Sequence, residues 1–114
     1  MSGDWEPIRE TMILSRDADY VRVYERHPDD PVFPEGTTAE IVITRGNRIN
    51  SEIVATWPAE HVSQDAVSFW VQLEETNLVP DNNAWRRVMV HYPPAVEGGN
   101  QQDWCWYAGP VRRK

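Results

Sequence analysis

Along most of this chain apolar residues recur at every second position, in short runs broken by proline and glycine. Period two sends successive side chains to opposite faces of an extended strand, so such a chain builds sheets. No stretch carries the 3.6-residue period that would let a helix bury one face. Nine prolines and six glycines in 114 residues favour short strands and turns over long elements. The length fits one domain with one modest core.

The alternation marks seven segments. Residues 11–14 form a short first strand. Residues 19–25 follow, with Val21 and Val23 on one face and Tyr20, Arg22 and Tyr24 on the other. After a Pro-Asp turn around His27, residues 38–44 set Ala39, Ile41 and Ile43 against Glu40, Val42 and Thr44. Arg45-Gly46-Asn47 turns the chain into 49–57, and the two segments read as a hairpin. Residues 58–65 read as a loop or one helical turn. In 66–73, Val67, Phe69, Val71 and Leu73 share a face. In 84–92 the inward face is ambiguous, because Val88, Val90 and Tyr92 compete with Trp85 and Met89. Residues 104–111 close the pattern, with Trp104, Trp106 and Ala108 on one side. Seven short strands joined by turns predict an all-β, immunoglobulin-like antiparallel β-sandwich. Residues 15–114 make the sandwich domain, and 1–14 an N-terminal arm with a short first strand.

Charge and chemistry narrow the function. The net charge of −7 disfavours nucleic acid and anionic lipid as partners. Met1 to Glu10 lacks the basic-then-apolar pattern of a secretion signal, and no run is long enough to span a bilayer. Cys105 is the only cysteine, which excludes an intrachain disulfide. His27, His61 and His91 lie in separate segments, and the nearest approach to a ligand cluster, His27 with Asp29 and Asp30, has the composition of a solvated turn. There is no nucleophile elbow and no phosphate-cradling glycine loop, so neither an enzyme nor a cofactor site is expected.

Six tryptophans stand out. Burying each in a core contributes roughly 2–3 kcal/mol, yet tryptophan also anchors interfaces. Trp70 lies opposite Val67, Phe69 and Val71, so it faces outward if they are buried; Trp5 lies in the arm. Both are candidate interface anchors. Arg112 and Arg113, in the basic C-terminal cluster with Lys114, are a solvated tail or a contact to an acidic neighbour.

An ordered series of motifs resembles a known family. Ser15-Arg16-Asp17-Ala18-Asp19-Tyr20-Val21-Arg22-Val23-Tyr24 is similar to the opening of small virion β-sandwich proteins of tailed phages. Phe33-Pro34-Glu35-Gly36-Thr37-Thr38-Ala39-Glu40-Ile41, Val67-Ser68-Phe69-Trp70-Val71, Ala84-Trp85-Arg86-Arg87-Val88-Met89-Val90 and Trp106-Tyr107-Ala108-Gly109-Pro110-Val111 follow in order. The set resembles the β-sandwich domain of phage tail-fibre collar and minor tail proteins, including those of actinobacterial phages. Ten arginines against one lysine match the GC-rich genomes of such hosts. The resemblance implies a structural subunit of the virion, present in repeated copies and packed on other virion proteins. Capsid decoration is the alternative within that class, and a carbohydrate-binding module contacting the host envelope is the alternative outside it.

Overall fold

The computed structural model describes residues 6–48, 50–94 and 97–114, which form nine strands and one helical turn. The strands are β1 (Ile8–Arg9), β2 (Met12–Leu14), β3 (Tyr20–Glu25), β4 (Thr38–Arg45), β5 (Ile53–Pro58), β6 (His61–Val62), β7 (Ala66–Val71), β8 (Ala84–Tyr92) and β9 (Gln102–Arg113). The helix α1 (Leu73–Thr76) follows β7. The larger sheet runs β1-β9-β8-β4-β5, with β2 also paired to β9; the smaller runs β3-β7-β6. The two sheets make a β-sandwich.

Each segment with alternating residues holds a strand, and two strands are additional. β1 and β6 have two residues each, too short to display a period. β6 occupies part of 58–65, expected as a loop or helical turn, and pairs antiparallel with β7. Leu73, expected to extend β7, instead opens α1. The second hairpin strand begins at Ile53, later than expected, with residue 49 outside the described residues, and Gly46 turns the chain out of β4 at a φ of +101°, a conformation that favours glycine.

The core lies between the sheets. Ile41 and Ile43 of β4, Val67 and Phe69 of β7, and Val88 and Val90 of β8 are buried, as is Tyr24 of β3. Alternation breaks on β4, where Ile43 and Thr44 are both buried at a register shift against β5, and again on β9. Val88 pairs with Tyr107 but Met89 pairs with Cys105, so Trp106 is an extra residue in the ladder. This bulge turns two consecutive aromatic side chains inward. The Tyr24 ring lies 6.0 Å from that of Trp106 and 4.7 Å from that of Tyr107. Phe33 and Phe69 complete the layer, each meeting one of these rings edge-on.

Within the segment expected as an arm, β1 and β2 are instead part of the larger sheet. Ile8 and Arg9 pair parallel with Tyr107 and Ala108, and Met12 to Leu14 pair parallel with Val111 to Arg113. Between them the Glu10 N–H still donates to the Ala108 carbonyl at 3.1 Å, and the Glu10 carbonyl oxygen sits inside the space that a Cβ on Gly109 would fill. Only glycine admits that approach. The Glu10 carboxylate then reaches both sheets. It receives two bonds from Arg22 of β3, at 2.8 and 3.0 Å, and one from Arg86 of β8, at 3.1 Å. Arg86 is fully buried. Its guanidinium lies 5.8 Å from the Tyr107 ring centre, and that of Arg22 lies 4.3 Å from the Tyr24 ring centre.

The bonds from Arg22 hold the Glu10 carboxyl below its ordinary 4.5, against a smaller opposing effect of burial. A depressed carboxyl stabilises the fold above its unfolded value, and that contribution disappears as pH falls below 4.5. Glu10→Ala leaves the Arg86 charge buried without its partner and should cost about 3 kcal/mol in chemical denaturation. Arg86→Met keeps the Glu10–Arg22 pair and should cost about 1 kcal/mol or less in the same assay. Gly109→Ala should be at least as damaging as Glu10→Ala, since it expels the Glu10 backbone from β9.

Candidate interaction face

The outer surface of the β3-β7-β6 sheet carries the candidate site. On β3, Tyr20, Arg22 and Tyr24 point inward, which turns Val21 and Val23 outward. Val21 is directly opposite Trp70 of β7. All three side chains are exposed: Val21 by 65%, Val23 by 51% and Trp70 by 59%. Trp70 therefore faces outward, on the side that alternation in β7 requires.

Trp70 is held in one orientation although it is exposed. Its indole Nε1–H donates to Asp19 Oδ2 at 2.8 Å, and the other oxygen of Asp19 accepts the Leu73 amide at 2.8 Å. The bond from Trp70, and after it the one from Leu73, keep the Asp19 carboxyl below its usual range. A shallow notch of about 240 Å³ beside the indole is lined by Glu60, Trp70 and Gln72. Glu25 continues the outward row of β3. Asp19, Glu25 and Glu60 thus rim the apolar centre, and the outward rows of β3 and β7 carry no arginine or lysine.

The other predicted candidates lie elsewhere. Trp5 is outside the described residues. Arg113 is not part of a solvated tail. It ends β9 with its side chain buried, donating to Asp81 Oδ1 at 2.9 Å and to the carbonyls of Thr76 and Val79 at 3.0 and 2.6 Å. Those donors clamp the end of α1, so Arg113 is not available to a neighbour. Arg112 is exposed, and its Nη1 donates to the carbonyl of Val111 at 3.4 Å. Trp57, Trp104 and Trp106 are core residues. Trp85 is half-buried on the outer face of the larger sheet, with the Arg9 guanidinium 5.8 Å from its ring centre.

The groups with latent chemistry are engaged in structure. Cys105 is half-buried, burial raises its pKa, and its thiol donates to the Tyr107 carbonyl at 3.2 Å. His27 Nδ1 accepts the Asp29 amide at 3.1 Å and closes a turn. His91 stands between Asp103 at 2.7 Å and Glu40 at 3.2 Å on the outer face of the larger sheet. Among the described residues no group of three or more histidines, cysteines and acids is placed to hold a metal. No described helix is long and apolar enough to cross a membrane. A depression of about 620 Å³ is lined by Pro34, Tyr92, Pro93, Pro94, Asn100 and Gln102, which include no carboxylate, imidazole or thiol.

The family model of the LtfC-like β-sandwich domain matches residues 6–114. The chain belongs to this family. The LtfC-like family is related to phage tail fibres, and the match begins upstream of β1, in keeping with the pairing of residues 8–14 to β9. No curated protein matches the chain.

His91 gives a pH signature. Burial lowers its pKa, but hydrogen bonds to Asp103 and Glu40 outweigh this and raise it above 6.5. The stabilising contribution is complete below 6.5 and is lost as pH rises through the folded value. In an NMR titration the His91 ring signals should move above pH 6.5, and Asp103→Asn should bring that transition down. A His91 midpoint at or below the ordinary value would contradict the paired geometry.

Proposed function

We propose that this domain is a non-catalytic structural subunit of a phage virion tail, of the minor-tail or collar type. It packs against neighbouring virion proteins through Val21, Val23 and Trp70. The observation that carries the reading is an exposed tryptophan fixed by a carboxylate beside two exposed valines on one sheet face. An apolar surface in that form is characteristic of a docking site. Membership of a tail-fibre-related family supports the virion setting. The engagement of Cys105, His27 and His91 in structural contacts favours assembly over reaction.

The reading is tested by incorporation into particles of the phage that encodes the chain. Trp70→Ala and Val21→Ser remove exposed side chains that pair across the two strands and should cost the isolated domain no more than about 1–2 kcal/mol, leaving it folded. Both should lower its copy number in purified virions. Wild-type copy number should follow the symmetry of a tail ring; a count matching the capsid lattice would assign the domain to decoration instead. Equal incorporation of both variants would refute the docking role. A cell-wall glycan that shifts the Trp70 indole resonance at saturable concentration would mark the notch at Glu60 and Gln72 as a sugar site.

A further inference from the structure

The smaller sheet ends on β3, and among the described residues nothing pairs with the outer side of that strand. The hydrogen-bond pattern shows which groups are left over. Arg26 N–H donates to Asp65 across the continuation of the β3–β7 ladder, whose register is unbroken from Tyr20–Val71 to Glu25–Ala66. In an antiparallel ladder bonding residues alternate, so Tyr20, Arg22 and Tyr24 face β7. The N–H and C=O groups of Val21, Val23 and Glu25 therefore point away from the sheet.

The other edges of the sandwich are blunted. The larger sheet ends on one side in β1 and β2, which are two and three residues long. On the other side β5 ends in Pro58, and its pairing with β4 shifts register between Ile43 and Thr44. β6 has only two residues. Short strands, irregular pairing and proline are the usual guards against strand addition. β3 has six residues, regular pairing and no proline. Its one inward-pointing charge, Arg22, is neutralised by Glu10.

We infer that β3 is a receiving edge: an extended segment of a neighbouring protein adds to it as a fourth strand and packs its apolar side chains against Val21, Val23 and Trp70. The inference rests on the docking role proposed above and names the form of the partner. Unpaired amides and carbonyls call for a strand rather than a helix or a sugar. The acidic rim of Asp19, Glu25 and Glu60 calls for basic residues flanking the apolar ones. The same rim opposes face-to-face pairing with a second copy of this chain, which would set acid against acid.

Hydrogen exchange on the wild-type chain, free and in intact virions, provides the test. In the free chain the amides of Val21, Val23 and Glu25 should exchange fast while those of Tyr20, Arg22 and Tyr24 are protected. In the virion all six should be slow, the first three by about 100-fold or more. Val23→Pro, which deletes one outward N–H at an edge position that tolerates proline, should reduce incorporation at least as strongly as Trp70→Ala. Val23→Thr, which keeps that N–H but trades a methyl of the docking surface for a hydroxyl, should reduce incorporation less than Val23→Pro. Fast exchange at Val21, Val23 and Glu25 in virions, with the Trp70 indole shielded from solvent, would overturn strand addition and leave the docking role standing. An indole equally accessible in free chain and virion would overturn the docking role itself. Protection of the three amides already present in the free chain would show the edge to be filled internally and end the inference.

Discussion

A single carboxylate joins the parts of this sandwich. Glu10 enters from the segment beside β9, bonds Arg22 on the smaller sheet and Arg86 on the larger, and does so where Gly109 has no side chain to keep it out. Arg86 carries a charge with no exposed surface. Burying such a charge is tolerable only with a partner of opposite sign close by. Arg86 Nε and Nη1 have no hydrogen-bond partner among the described residues, so the guanidinium depends on Glu10 and the Tyr107 ring. The N-terminal pairing, the inward turn of Arg22 and the route of β9 past Gly109 are thus one coupled arrangement.

That arrangement explains where the sequence is legible and where it is not. On β4 and β7 alternation reads correctly, because Ala39, Ile41 and Ile43, and Val67, Phe69 and Val71, are plain hydrophobic rows. On β8 it is ambiguous because Trp85 and Met89 make the outward row compete with Val88, Val90 and Tyr92, while Arg86 stands in the inward one. On β3 the inward row is Tyr20, Arg22 and Tyr24, less apolar by composition than the valine row facing water. Both strands break the rule that charge points outward, and both do so for Glu10, twelve and seventy-six positions away. Nothing local in the sequence announces that partner, so residues 1–14 read as an arm.

The candidate face shows the same division. The exposure of Trp70 follows from its neighbours in β7, and the alternation alone supplies it. Its companions do not follow so simply. Val21 and Val23 join it only once Arg22 is known to point inward, and Asp19 joins only through contacts that span more than fifty residues. Arg113 is the opposite case: a terminal basic residue with the look of a tail is a buried clamp on α1, because β9 runs on to Arg113.

Most exposed tryptophans sample several rotamers and must be frozen when a partner arrives. The Asp19 bond biases this one toward a single rotamer before any partner arrives. An indole that is ordered in the unbound domain surrenders little rotational entropy on contact, so more of the gain from desolvating its rings remains as net affinity. For the docking role proposed above, the consequence falls chiefly on the rate of escape, which such rigidity slows.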